Sequence, residues 1–85
     1  MHLLPKRTVY ILRSLSNPGR HYVGLTADLS RRLAGHNAGQ NTHTARDRAW
    51  SVVVVIEFST EEAAVRFERY LKSGSGRAFT KHHFA

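Results

Sequence analysis

The longest uninterrupted apolar run in the sequence is Val-Val-Val-Val-Ile, at residues 52–56. A run that is apolar at every position and rich in β-branched residues predicts a strand that is covered on both faces, so we expect it to be the central strand of a sheet. The chain has 85 residues and no cysteine. Its small core therefore forms without disulfides or a thiolate zinc site, and we expect a single domain over residues 1–85.

A β-hairpin is predicted before this run. Residues 8–12 are β-branched and aromatic, residues 20–25 have a similar composition, and the turn-forming segment Ser-Asn-Pro-Gly lies between them. Because side chains alternate across a strand, Tyr10 and Tyr22 share one side of the sheet if the register pairs residues of equal parity. The sequence leaves the register open, and a slip of one residue would separate the two hydroxyls.

A helix is predicted after the hairpin. Asp28 is a favourable N-cap for a helix that ends near residue 37, and two leucines four positions apart form its sheet-facing stripe. Arg32 and His36 lie on one face next to that stripe, so we expect both at the edge of the core. The polar residues 38–48 lack periodicity and predict an exposed loop.

The last third of the sequence predicts two more helices. Ser59 and Glu62 have the spacing of a capping box for a helix that ends near residue 72. The Ser-Gly-Ser-Gly segment at residues 73–76 ends it, and residues 77–84 predict a short final helix. The predicted fold is α+β, a three-stranded, mostly antiparallel sheet flanked by helices in the order β-β-α-β-α-α.

The charge of the chain favours a polyanion as partner. Thirteen Lys and Arg against six Asp and Glu give a net charge of +7, and ten of the thirteen are Arg, whose planar group suits phosphate. A soluble surface with surplus charge is the alternative. No predicted helix combines a strongly apolar face with a basic one, and the first six residues are too short for a signal sequence or a membrane span. We therefore expect a cytoplasmic location and no membrane partner.

Glu68 is the candidate metal ligand. It borders the apolar stripe of the second predicted helix, whereas capping or position at a strand end or in a loop accounts for the other five acids. One carboxylate suffices for a Mg²⁺ ion that keeps most of its waters and binds substrate oxygens. The alternative is an exposed pair with Lys72 at i+4, and spacing alone favours that pair.

A further group of residues is predicted to contact nucleic acid. Glycine beside Tyr22 leaves bare backbone that a phosphate could approach closely, although glycine and tyrosine are also ordinary strand residues. The remaining members are cations, which are otherwise read as solvated surface charges. The group is Gly24, Arg13, Arg20, Arg31, Arg46, Arg48, Lys72 and Arg77.

Taken in order, these pieces resemble the GIY-YIG nuclease superfamily in its small single-domain form, which is similar to the catalytic domain of the GIY-YIG excinucleases and to the GIY-YIG homing endonucleases. The first signature corresponds to Thr-Val-Tyr at residues 8–10, where only the tyrosine is kept, and the second to Tyr-Val-Gly at residues 22–24. The spacing of Arg32 and His36 and the position of Glu68 match as well. A late asparagine of some relatives has no counterpart after residue 73.

The resemblance implies a metal-dependent endonuclease that hydrolyses DNA phosphodiester bonds, with a role in DNA repair. Glu68 would hold one Mg²⁺ or Mn²⁺ ion, and Arg32 would stabilise charge on the phosphate. Tyr10 in first place would help to activate the attacking water, assisted by Tyr22 or His36. Because the domain has little surface with which to bend a duplex, we expect a preference for single-stranded or structured DNA.

Two rival functions remain open at this point. One is a basic nucleic-acid-binding module that has the fold but does not cut, and the other is a small protein-interaction domain. Tyr10, Tyr22, Arg32, His36 and Glu68 together favour catalysis, because pure binding has no need of a lone metal carboxylate among arginines.

Overall fold

The computed structural model describes residues 4–84, so part of the N-terminal segment considered above lies outside the described residues. The elements are β1 (Thr8–Ser14), β2 (His21–Thr26), α1 (Leu29–Asn37), a 3₁₀ turn (Ala45–Asp47), β3 (Trp50–Glu57), α2 (Glu61–Leu71) and α3 (Gly74–His83). The α+β class, the three strands and the order of elements are confirmed. Within residues 4–84, no helix is both long enough and apolar enough to cross a bilayer.

The sheet is antiparallel with the strand order β2-β1-β3. The prediction that residues 52–56 form the central strand is wrong, because β1 lies in the middle and β3 is at an edge. Val52 and Val55 are 39% and 43% exposed. Valine stabilises an extended backbone at an edge as well as in the centre, so an apolar run alone does not locate a strand within its sheet.

The hairpin register places the two tyrosines together. Tyr10 pairs with Gly24, and Leu12 pairs with Tyr22, so residues of equal parity face each other. This confirms that both tyrosine side chains leave the sheet on the same side, which was the condition for a shared site.

The two sides of the sheet carry separate clusters. On one side Val9 and Ile11 pack against Ala64 and Leu71 of α2, and α3 adds partly buried aromatic residues. On the other side α1 covers a second cluster, and the predicted leucine stripe of α1 faces the sheet. That cluster consists of Tyr10, Leu12 and Trp50, with Tyr22, Leu29 and Leu33 packed against it.

The start of α2 differs from the prediction by one residue. Thr60, and not Ser59, is the N-cap, and its side chain accepts a hydrogen bond of 3.1 Å from the Ala63 backbone N–H. Glu62 is therefore the second helical residue, so the predicted capping box is absent. Both Ser and Thr are good N-caps, and the spacing to glutamate selected the wrong one.

The segment that was predicted to end the second helix instead begins the third. The Ser73 hydroxyl accepts a hydrogen bond of 3.1 Å from the Gly76 N–H, so α3 starts at Gly74 and not at residue 77. Gly76 packs directly on α2, where an added Cβ would lie 1.8 Å from the Tyr70 carbonyl oxygen. Here a serine cap and close helix packing outweigh the low helix propensity of glycine.

Candidate active site

Four of the predicted site residues meet on the α1 side of the sheet. The Tyr10 hydroxyl, from β1, lies 3.0 Å from Nε2 of His36 on α1. The Tyr22 ring, from β2, has its centroid 4.6 Å from that of His36 and 6.2 Å from that of Tyr10. Arg32 lies one helical turn before His36 and contacts Tyr10 through its guanidinium. The register and the helical spacing together produce this convergence.

Gly24 has a different role from the predicted one. It is buried, and an added Cβ would lie 2.2 Å from Cζ and 2.3 Å from the hydroxyl oxygen of Tyr10. The space above Gly24 is therefore filled by the Tyr10 ring, and the prediction that a phosphate approaches bare backbone there is wrong. Glycine is needed at this position so that the tyrosine can lie across the hairpin towards His36.

A hydrogen-bond chain fixes the orientation of the His36 ring. The Thr44 hydroxyl lies 2.8 Å from Nδ1 and donates at 3.4 Å to the Asn41 carbonyl oxygen. That leaves the Thr44 oxygen to accept from Nδ1–H, so Nε2 is the acceptor for the Tyr10 hydroxyl. Both ring nitrogens of a side chain that is only 2% exposed thus have partners.

Thr44 is the member of this network that sequence reasoning missed. The segment 38–48 was predicted as an exposed loop, which is wrong at Thr44, where exposure is 1%. Trp50 holds it there, since the indole N–H donates at 2.8 Å to the Thr44 carbonyl oxygen. The sequence signal for this burial is a tryptophan that follows a polar loop. A buried indole N–H needs a hydrogen-bond acceptor, and the preceding loop can supply one. Asn37 fixes the same corner by accepting a 2.6 Å hydrogen bond from the Trp50 backbone N–H.

The electrostatics give each group a defined protonation state. Burial raises the pKa of Tyr10, and the adjacent Arg32 guanidinium opposes this only in part. Burial, followed by the charge of Arg32, lowers the pKa of His36. The contact with Tyr10 raises the pKa of Arg32. At neutral pH the site therefore contains a neutral imidazole, a protonated Tyr10 and a guanidinium cation.

The site has an inner and an outer layer. Tyr10 is 0% exposed and His36 2%, whereas Tyr22 is half-buried and Arg32 is exposed. Solvent and any substrate therefore meet Arg32 and Tyr22 first, and Tyr10 and His36 lie behind them.

Two clefts meet at this cluster. Arg32 and His36 line one of about 740 Å³, together with Arg31. Tyr22 lines the other, of about 1040 Å³, together with Arg77. Since the Tyr22 and His36 rings are in contact, a bound polymer that follows one cleft reaches the other cleft across the site.

Glu68 lies on α2, which packs on the other side of the sheet from α1, and it has no hydrogen bond to the four members of the site. Its carboxylate forms a 2.7 Å salt bridge with Lys72, and its side chain is 17% exposed. Lys72 in turn lines the same cleft as Tyr22, and its charge acts on Tyr10. Among residues 4–84 there is no group of three or more His, Asp or Glu side chains that could hold a metal. This donor set fits only an ion that needs one carboxylate and takes its other ligands from water and substrate.

The remaining predicted contact residues are spread over the surface. Arg20 forms a 3.6 Å salt bridge with Asp47, which ties the hairpin turn to the 3₁₀ turn. The Arg48 guanidinium lies against Gly39, which has a φ of 79°. Arg20 also lines the larger cleft, whereas Arg13 and Arg46 line neither of the two clefts and are exposed.

Comparison with known proteins confirms the resemblance drawn from the motifs. A sequence model of the GIY-YIG catalytic domain matches residues 6–82. The structure-specific endonuclease subunit SLX1 of Candida dubliniensis is 40% identical over an alignment of 80 positions that covers 85% of this chain and 28% of that protein. The protein of the same name from Malassezia globosa is 42% identical over an alignment of 72 positions that covers 79% of this chain and 16% of its own length. That of Talaromyces marneffei is 40% identical over an alignment of 65 positions that covers 69% of this chain and 17% of its own length. The match thus spans less than a third of each relative.

Proposed function

The chain belongs to the GIY-YIG catalytic domain family, and from that premise we propose that it is a metal-dependent endonuclease that hydrolyses phosphodiester bonds in structured DNA. The observation that carries the proposal is the meeting of Tyr10, Tyr22, Arg32 and His36 at the junction of two basic clefts. The relatives are named structure-specific endonuclease subunits, which supports structured DNA as substrate and a protein partner as well. A role in DNA repair and a cytoplasmic location stay predictions.

The outer layer of the site would handle the substrate. The exposed Arg32 guanidinium binds the scissile phosphate and stabilises charge that develops on its oxygens. Tyr22 accepts a hydrogen bond from the attacking water and so orients it towards phosphorus. We assign this task to Tyr22 and not to Tyr10, because the Tyr10 hydroxyl is buried and already bonded to His36.

The inner layer would hold the outer one in place. Tyr10 contacts Arg32 and donates to the neutral His36, and Thr44 fixes the ring of His36. A guanidinium that is held in one orientation loses less freedom when it binds phosphate, which favours the transition state. Tyr10 and His36 are therefore positioning residues in this proposal.

Glu68 would hold one divalent ion, Mg²⁺ or Mn²⁺. Bound there, the ion would supply Lewis-acid polarisation of the phosphate. The half-buried carboxylate fits this task, since it is close to the Tyr22 cleft and can leave Lys72 when a cation competes.

One observation favours a second candidate, a basic nucleic-acid-binding module that does not cut. Glu68 is already neutralised by Lys72 at 2.7 Å, and spacing had favoured that pair as purely structural. In this interpretation the same clefts bind DNA, but no cation replaces the lysine.

A cleavage assay distinguishes the endonuclease from the binding module. The substrates are labelled branched, single-stranded and duplex DNA, each with Mg²⁺ or with EDTA. We expect cutting that requires the metal and is fastest on the branched substrate. Glu68→Gln should lower the rate by at least about 100-fold with DNA affinity unchanged, because several kcal/mol of charge stabilisation is lost. Glu62→Gln on the same helix is the matched control and should cut normally. A wild-type protein that binds all three DNAs but cuts none with Mg²⁺ or Mn²⁺ would establish the binding module instead.

A further inference from the structure

The larger cleft has a strongly cationic rim. It opens beside Tyr22, where β2 and its turn meet α2 and α3, and its lining contains four Lys and Arg residues and no Asp or Glu. Two of the cations, Arg20 and Lys72, form salt bridges with acids outside the lining. Arg77 and Lys81, one turn apart on α3, have no salt bridge with any residue in the described range. These two charges are free to meet a polyanion.

Apolar side chains also line the cleft. They are Tyr22, on the α1 side of β2, and Val23 and Leu71, on the α2 side. A duplex presents phosphates on its outside and hides the faces of its bases, so it could contact the cations but could not stack on the Tyr22 ring. An unpaired strand exposes base faces and sugars that can pack on an aromatic ring while the backbone follows the cations. The combination of unpaired cations and an aromatic ring therefore favours a single strand.

A buried hydroxyl in the same cleft lacks a partner. Thr80 lines the cleft, and its side-chain oxygen has no hydrogen-bond partner among the described residues although solvent does not reach it. An unsatisfied buried hydroxyl calls for an explanation, and a phosphate or base edge held between Arg77 and Lys81 would supply the missing hydrogen bond. A volume of about 1040 Å³ leaves room for more than one nucleotide.

We propose that this cleft binds the unpaired arm of a structured DNA, with the backbone on Arg77 and Lys81 and a base or sugar against Tyr22. The inference rests on the proposed function for its substrate class. It also specifies how the DNA crosses the site. The single strand leaves on the Tyr22 side, and the rest of the DNA lies in the cleft with Arg31 and Arg32.

The test is fluorescence anisotropy of a short, labelled, mixed-sequence single-stranded DNA with the 85-residue chain in EDTA, over a range of salt concentrations. We expect the double variant Arg77→Ala/Lys81→Ala to bind about tenfold more weakly, and its salt slope to fall by about 1.4, since each phosphate contact on a single strand contributes about 0.7. Thr80→Val keeps the side-chain shape and should weaken binding without a change in the slope.

The matched control is Arg66→Ala/Arg69→Ala, which removes the same charge from the exposed part of α2 outside the cleft. Circular dichroism confirms that each variant is folded. Equal losses in the two double variants, or an unchanged affinity in the cleft variant, would overturn the inference. Because binding is measured without metal, a wild type that never cuts but depends on Arg77 and Lys81 refutes the endonuclease and supports the cleft.

Discussion

The two sides of β1 differ in what their buried residues do. On the α2 side Val9 and Ile11 pack against apolar residues only. On the α1 side the alternate residue Tyr10 is as deeply buried, yet it is hydrogen-bonded to His36 and in contact with Arg32. A single strand thus supplies apolar packing through its odd positions and a polar network through an even one. In so small a domain the candidate site is itself part of the core.

This arrangement predicts that changes on the two sides have different consequences. Apolar packing contributes through buried area, so losses on the α2 side affect stability alone. The polar network contributes to stability because each of its polar groups is hydrogen-bonded to another. Removal of one group therefore leaves its partner buried without a hydrogen bond. Among the buried residues of β1, only Tyr10 on the α1 side should therefore couple stability to activity.

The largest expected effect is that of the substitution Arg32→Ala on the cleavage rate. Loss of a charged donor to the developing phosphate charge should lower kcat by about 10²–10³-fold, and because Arg32 is exposed the melting temperature should change little. Ile11→Val on the opposite side is the matched control. It should lower the free energy of unfolding by about 0.5–1.5 kcal/mol with kcat unchanged. A loss of activity in Ile11→Val that exceeds its loss of folded protein would break the comparison.

The next effect concerns the two tyrosines. Tyr10→Phe leaves His36 Nε2 unpaired in a buried position, so we expect a loss of about 1–3 kcal/mol in stability and a rate lower by about tenfold through poorer placement of Arg32. Tyr22→Phe removes the hydroxyl that faces the water and should cost more in rate, about 10²-fold or above, with less effect on stability. Denaturant unfolding and single-turnover cleavage measure the two quantities. The reverse order of rates would return water activation to Tyr10.

Local rules predicted much of the fold and of this site. The turn cluster at residues 16–19 set the hairpin, and i, i+4 spacing placed Arg32 and His36 on one edge of α1. Both depend on nearby residues and on fixed periodicities, which a sequence displays directly. The register that joins Tyr10 to Tyr22 was left as a condition, and the structure fulfils it.

Apart from the cap of α2, the errors arose where contacts between distant residues decide. The sequence of β3 does not show that this strand lies at the edge of the sheet. Likewise, the sequence of β2 does not show that Gly24 leaves space for Tyr10. Thr44 is buried because Trp50 and His36 both bind it, although its own segment is polar. The metal-binding role of Glu68 stays a prediction, because the spacing to Lys72 predicts only the salt bridge that the structure shows.

The smallest expected effect is the pH dependence of stability that His36 creates. Its neighbours include Tyr10, Tyr22 and Arg32, and burial together with the Arg32 charge lowers the pKa of the folded imidazole below the unfolded value of about 6.5. Above that value both states are neutral and the stability is fully present. As the pH falls below it, the unfolded chain takes up a proton that the folded one refuses. Stability is then lost down to the folded pKa, with a slope of at most about 1.4 kcal/mol per pH unit.

Urea unfolding at a series of pH values measures this term. His36→Gln should flatten the curve in that window, whereas His43→Gln, at an exposed position, should leave the slope intact. Ile11→Val should run parallel to the wild type at lower stability, because the α2 side of β1 buries no titratable group in its cluster. An equal slope in wild type and His36→Gln would show that the imidazole is already accessible to protons in the folded state, and the inner layer of the site would then not be closed.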